Sequence, residues 1–384
     1  MTVVVLCGAA RGANPYIDLF CSGLSTAGLD VALFDQAGDG TLPPAARAAS
    51  VIHLHWLELW GKPPYRSLQR LNRAALPGRG LRRLLEPALN APWLTQQRRR
   101  RFLRHFWAEL DAWRAGGGKL VYTLHNLAQH EGEGGAQEQQ ALQALLRRAD
   151  GIHLHAAYLA DTVRATADAA GVTCPPLAII PHGHYVDAYP NTVAQADARN
   201  ALSVPAASAP VFLFLGMIRP YKGLEELLPA FAALENPAAV LLVAGRPRPA
   251  DFAAHLAATA PRDPRVRWYP HFVADADVQL WMNAADAVVL PYRHITTSGA
   301  ALLAWSFGKP VIAPALPAFS EPMQHTPFLG LTYDPTDPHS LLMALRQAAA
   351  TDWHSSRAQI MAWVQQFAWP DIGRQMAAFY RQIS

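Results

Sequence analysis

The sequence predicts an α/β chain built from two doubly wound parallel sheets, and three observations carry that reading. Short apolar runs alternate with longer helical patterns along all 384 residues. Polar or glycine-bearing turns follow the runs, as expected where parallel strands hand over to helices. A stretch rich in Ala, Pro, Ser and Asn, Asp187 to Pro210, interrupts the alternation and is the expected hinge. At 51% hydrophobic content, the chain is long enough for two cores of ordinary size.

The runs are read in order. TVVVLC (2–7) opens the first half, and CGAARGANPY bends it into a helix through Gly8, Gly12 and Asn14. That turn lacks the G-x-G-x-x-G spacing, and Asp35, closing DVALFD (30–35), is weak evidence alone, so a dehydrogenase fits poorly. SVIHLHW (50–56), KLVYTLH (119–125), GIHLH (151–155) and LAIIPHG (177–183) follow. The second half repeats the plan with VFLFLG (211–216), AVLLVAG (239–245), VRWYPHF (266–272), AVVLPY (287–292), PVIAP (310–314) and LGLTYD (329–334). The expected domains are 1–187 and 188–370. The amphipathic tail from Arg357, broken at Pro370, reads as two helices meeting at a kink, with 371–384 returning to the first domain. Ligands are expected in a central cleft facing the carboxyl ends of both sheets.

The net charge of +4 is unevenly spread: Lys62 to Arg104 holds twelve Lys or Arg and one acid, Glu86. Trp93, Leu94, Phe102, Phe106 and Trp107 lie in or beside it, a basic and apolar mixture suited to an anionic membrane surface over 62–107. A solvated arginine-rich face is the plainer alternative, and nucleic acid is not the favoured partner. The N-terminus lacks a basic leader pattern, no run approaches bilayer length, and three scattered cysteines form no C-x-x-C pair; a cytoplasmic protein is expected.

Two turns of the second half suit phosphate. In GMIRPYKGLEELLPAF, Arg219 and Lys222 stand in a glycine-flanked loop, closed by Gly223, before a helix: a fork of donors and a point charge. In HITTSGAALLAW, Thr297, Ser298 and Gly299 open a helix whose free amides and positive dipole end cradle anions. A solvated turn and an ordinary Ser cap are the structural alternatives. Histidines gather at strand ends of the first half: His53, His55 and Glu58; His125, Asn126, His130 and Glu131; His153 and His155; His182 and His184. No H-E-x-x-H occurs, and Asp275 to Asp277 reads as a helix start, so no catalytic metal is expected.

Taken together, NPY, HLHW, TLHN with HE beyond it, HGHY, IRPYKG, LPY, TSGA and GKPVIAP resemble GT-B fold glycosyltransferases, and more closely the xanthan-type β-mannosyltransferases of exopolysaccharide assembly. The resemblance implies GT-B architecture, two Rossmann-like domains facing a central cleft. It implies transfer of a sugar, mannose from GDP-mannose favoured, onto a polyprenyl-diphosphate-linked oligosaccharide or other glycan, at the inner face of the cell membrane. No cofactor beyond the nucleotide-sugar donor is implied. By the same resemblance, Arg219, Lys222, Gly223 and Thr297 to Gly299 hold the donor diphosphate, Arg246 and Phe272 flank the nucleoside, and the sugar lies toward His125. His55, Trp56, Asn126, His182, His184 and Tyr185 fall on the acceptor side. Retaining relatives carry two glutamates where this chain has Ile295 and Leu303. The expected reaction is therefore an inverting displacement, with Glu131, Glu58 or His125 as the base. A retaining transferase of the same fold, or a non-catalytic nucleotide-sugar-binding scaffold, are the alternatives.

Overall fold

The computed structural model describes residues 1–8, 15–35, 40–56, 92–125, 135–205, 209–259 and 261–384. They form two units, Met1–Pro181 with Trp369–Ser384, and His182–Ala368. Each unit holds one six-stranded parallel sheet, and each apolar run supplies one strand.

In the first unit the strands are β1 (Thr2–Cys7), β2 (Asp30–Asp35), β3 (Val51–His55), β4 (Lys119–Leu124), β5 (Gly151–Leu154) and β6 (Leu177–Ile179), in the order β2-β1-β3-β4-β5-β6. Strand alternation sorts the side chains. Ile52 and Leu54 of β3 join Val4, Leu6, Leu120 and Tyr122 in one core, while Val51 joins Val3, Val5 and Val121 in the other. His53 and His55 therefore share the Val51 face. Helices Tyr16–Thr26 and Trp369–Ile383 cover it, and they meet at two glycines. A Cβ on Gly373 would stand 1.9 Å from the Gly23 carbonyl oxygen, and one on Gly23 would stand 2.4 Å from that of Trp369. Pro370 does not kink this helix. It is the helix's second residue, where the missing N–H has no intrahelical partner to lose.

In the second unit the strands are β7 (Val211–Leu215), β8 (Val240–Ala244), β9 (Val266–Tyr269), β10 (Ala287–Val289), β11 (Val311–Pro314) and β12 (Gly330–Tyr333), in the order β12-β11-β10-β7-β8-β9. The direction of winding reverses between β7 and β10. The loops leaving these two strands therefore flank the topological switch point, where α/β sheets bind ligands.

The segment 187–210 is not a linker between the units. Its helix Gln195–Ala201 belongs to the second unit, with Ala198, Leu202 and Val204 in the core and Arg199 holding both Asp286 oxygens at 2.8 Å. The change of unit falls at 181/182 and 368/369, beside the expected 187/188 and 370/371. HGHY lies with the second unit because its backbone is tied there: His184 N donates to Phe367 O at 3.0 Å and Tyr185 N to Ser306 Oγ at 2.9 Å.

The basic segment also departs from expectation. Phe102 and Phe106, on helix Pro92–Ala115, are 5% and 2% exposed and pack into the first unit's core. Trp107 is half-buried against it, so these rings are not a lipid-facing set. Arg100, Arg101 and Arg104 remain exposed on the same helix. Residues 62–91 lie outside the described residues. Among those described, no helix is long and apolar enough to cross a membrane.

Candidate active site

The loop after β7 is shaped by glycines. Gly216 has φ +136°, and a Cβ there would come within 2.9 Å of Lys222 Nζ. Gly223, at φ +70°, passes so close to the loop after β10 that a Cβ would meet the Pro291 carbonyl oxygen at 1.8 Å. These approaches fold the lysine back over the sheet edge, its ammonium 5.0 Å from the Tyr292 ring centroid and 5.9 Å from that of Phe214. Aromatic faces attract a cation without neutralising it. Among the described residues no carboxylate pairs with Lys222. Burial, reinforced by Arg219, lowers its pKa to about 8. The Tyr292 hydroxyl beside it is buried without a hydrogen-bond partner among the described residues.

The loop after β10 supplies amides. Ser298 caps helix Gly299–Ser306, its Oγ accepting from Ala301 N at 3.2 Å. The amides of Gly299 and Ala300 have no acceptor among the described residues, and the first turn contains no acid. Such a terminus accepts an anion through its free donors and dipole. Gly299 also faces HGHY: a Cβ there would lie 3.3 Å from the Tyr185 hydroxyl and 3.8 Å from His182 Nε2. His182 donates from Nδ1 to Gly183 O at 2.7 Å, which leaves Nε2 as an acceptor in the neutral ring. Burial lowers its pKa to about 4. The HGHY side chains, read from sequence as acceptor-side, thus stand in the same unit as the phosphate-suited loops, beside one of them.

Arg246 and Phe272 are brought together, the guanidinium 5.6 Å above an aromatic ring that is 63% exposed. Ile295 and Leu303, at the positions of the retaining glutamates, pack against the core. The nearby acids Glu225 and Glu226 are both engaged by Arg293, which donates to them at 2.5 and 2.8 Å.

In the first unit the strand-end histidines divide into two sets. His153 Nε2 stands 2.8 Å from the Ile180 carbonyl, which can only accept. In the neutral ring its Nδ1 then accepts from Thr123 at 2.8 Å, Thr123 accepts from His53 Nε2 at 2.7 Å, and His53 Nδ1 accepts from the Tyr380 hydroxyl at 2.6 Å. His53 and His153 are therefore committed to a polar chain running from Ile180, just past β6, to the last helix. Burial, with His153 and His125 adding to it, holds His53 well below the ordinary imidazole range. The other set lies at strand ends: His55 Nδ1 is 2.9 Å from His125 Nε2, and Trp56 stacks on His125 at 4.3 Å. Glu58, Asn126, His130 and Glu131 lie outside the described residues. Sequence reasoning passed over Tyr292 and Ser306, although LPY and the run after TSG pointed to both stretches.

Fold and matched domain together define the class. This is a GT-B-fold chain, and residues 209–351 match the family described as Glycosyl transferases group 1. Over 198 residues the chain is 32% identical to GDP-mannose:glycolipid 4-beta-D-mannosyltransferase of Xanthomonas campestris pv. campestris, an overlap of 52% of this chain and 50% of that protein. The chain thus spans about half the length of the mannosyltransferases it matches. It is 25% identical to D-inositol 3-phosphate glycosyltransferase of Jonesia denitrificans, covering 98% of this chain and 92% of that one. Among solved structures, Anabaena Alr3699/HepE in complex with UDP and glucose superposes with a TM-score of 0.64 at 18% identity, over 100% of both chains.

Proposed function

We propose that the chain is a glycosyltransferase that moves mannose from GDP-mannose onto a lipid-linked oligosaccharide or other glycan, with inversion and without a metal. The observation that carries this reading is that the loops leaving β7 and β10, at the switch point of one sheet, carry a half-buried ammonium, Lys222, with no carboxylate partner among the described residues, and two amides, Gly299 and Ala300, with no acceptor among them. Similarity to the mannosyltransferase supports the donor, and apolar Ile295 and Leu303 support inversion.

In the proposed reaction an acceptor hydroxyl oxygen attacks the anomeric carbon while the bond from that carbon to the β-phosphate oxygen breaks. The hydroxyl proton passes to the base, and GDP departs with the bonding electrons. Charge grows on the leaving diphosphate, so donors fixed there stabilise the transition state more than the ground state. Lys222, Arg219 and the two amides fill the role a metal plays elsewhere. The base is Glu131 or Glu58, with His125 next; removing it lowers turnover by roughly a hundred- to ten-thousand-fold with donor affinity kept. Arg246 and Phe272 hold the nucleoside between a cation and a ring. The proposed lipid-linked acceptor and the exposed arginines of helix Pro92–Ala115 support a position at the inner face of the membrane.

The test is NMR of the product from GDP-mannose, an α-linked donor. A β-linked product with GDP released is expected. An α-linked product would establish retention, and nucleotide binding without any transfer would make the chain a scaffold.

A further inference from the structure

A concavity of about 670 Å³ opens at the opposite edge of the second sheet, where the chain enters β7, β10 and β11. That volume suits a small organic molecule. Its charges divide sharply by how far they are already satisfied. Asp286 accepts from both ends of the Arg199 fork at 2.8 Å, from Val211 N at 2.8 Å and from Gln195 Nε2 at 3.0 Å. Asp352, by contrast, is exposed to solvent and accepts a single side-chain hydrogen bond, from His354 N at 2.9 Å. The two remaining cations are not matched in this way. Lys309, only 7% exposed, gives one hydrogen bond, to the Ala285 carbonyl at 2.8 Å. Arg357 crosses Gly308, where a Cβ would strike its Cγ at 2.7 Å. Among the described residues neither cation has a carboxylate within ion-pair distance, and both line the concavity.

Burying an ammonium is costly unless an anion or further acceptors meet it. Burial, then Arg357, lowers the Lys309 pKa to about 8, with Asp286 opposing. We propose that Lys309 and Arg357 form a second anion site, distinct from the Lys222 loop, that binds the phosphate group of a small soluble molecule. Lys309 offers a point charge with two donors unused among the described residues, and Arg357 offers a planar fork that matches phosphate oxygens. Trp353 lines the same wall and supplies a flat apolar face for the rest of the molecule. The site stands independently of the transfer reaction.

The full chain is titrated with inorganic phosphate and separately with glucose 6-phosphate, following the Trp353 indole signal by NMR and heat by calorimetry. A saturable shift is expected. Arg357→Gln should weaken it about tenfold or more, Lys309→Met should abolish it, and Lys222→Ala should leave it unchanged. Tighter binding of glucose 6-phosphate would assign an organic phosphate, and equal affinity the free anion. If Lys309→Met does not fold, Arg357→Gln decides alone. Absence of a saturable shift at millimolar ligand, equal affinity in Arg357→Gln, or loss in Lys222→Ala would overturn the site.

Discussion

At the scale of single residues, Lys222 shows how a backbone sets a side chain's chemistry. Glycine at 216 and 223 lets the loop close on itself, and closure desolvates the ammonium. A diphosphate restores what desolvation removes, so Lys222→Ala should cost on the order of 1.5–3 kcal/mol in donor binding by calorimetry. Because its pKa is lowered to about 8, the charge is present below that pH and lost above it. Nucleotide affinity should therefore fall as pH rises through 8, and Lys222→Arg should flatten the fall. The histidines carry the opposite sign. His53 and His182 are held neutral by burial, so the unfolded chain binds protons that the native one refuses. Their contribution is full above the unfolded pKa near 6.5 and fades as pH drops toward the folded value, about 4 for His182. Urea midpoints should thus decline from pH 7 to 4.5. Tyr380→Phe, which strands His53 Nδ1, should lower stability by about 1–3 kcal/mol at neutral pH. Such pairings were illegible in the sequence: nothing in HLH, TLH or Tyr380 says that two histidines build a chain and two others reach a strand end.

At the scale of elements, the twelve strands were legible because parallel strands buried on both faces read as apolar runs. The loops carrying Lys222 and Gly299 were legible too, since glycine, cations and a capping serine leave a local signature. What escaped was the association of one element with another. HGHY follows a strand of the first unit in sequence, yet its amides bond to Ser306 and Phe367 of the second. The rings of helix Pro92–Ala115 resemble a membrane face until Phe102 and Phe106 are found in the core. The crossing of helices Tyr16–Thr26 and Trp369–Ile383 likewise depends on Gly23 and Gly373, which sit as ordinary small residues in the sequence. With backbone at 1.9 Å from the missing Cβ, Gly373→Ala should separate the helices and cost about 1–3 kcal/mol, as overpacking does. Thermal unfolding checks it, and an unchanged midpoint would show that the crossing is loose.

At the scale of the whole molecule, the net charge of +4 is carried by one region, whose described part ends in the exposed Arg100, Arg101 and Arg104. With Phe102 and Phe106 committed to the core, the proposed attachment through this helix rests on charge. Sedimentation with anionic vesicles should be strong at low salt and vanish as salt rises, with none on neutral vesicles; equal binding to both would remove the membrane from the proposal. The alternation of strands and helices made two units legible, and the amphipathic tail tied the last helix to the first of them. The consequence reaches to the order of synthesis. Trp369, Ile372, Met376, Phe379 and Tyr380 complete a core whose other wall is made of residues from Val3 onward. A ribosome therefore delivers the second unit in full before the first can close, and this face of β1 and β3 waits until residues 369–380 have followed. The nascent first unit keeps apolar surface open until its last helix arrives, whereas the second, made of one continuous stretch, has all its parts as soon as it emerges.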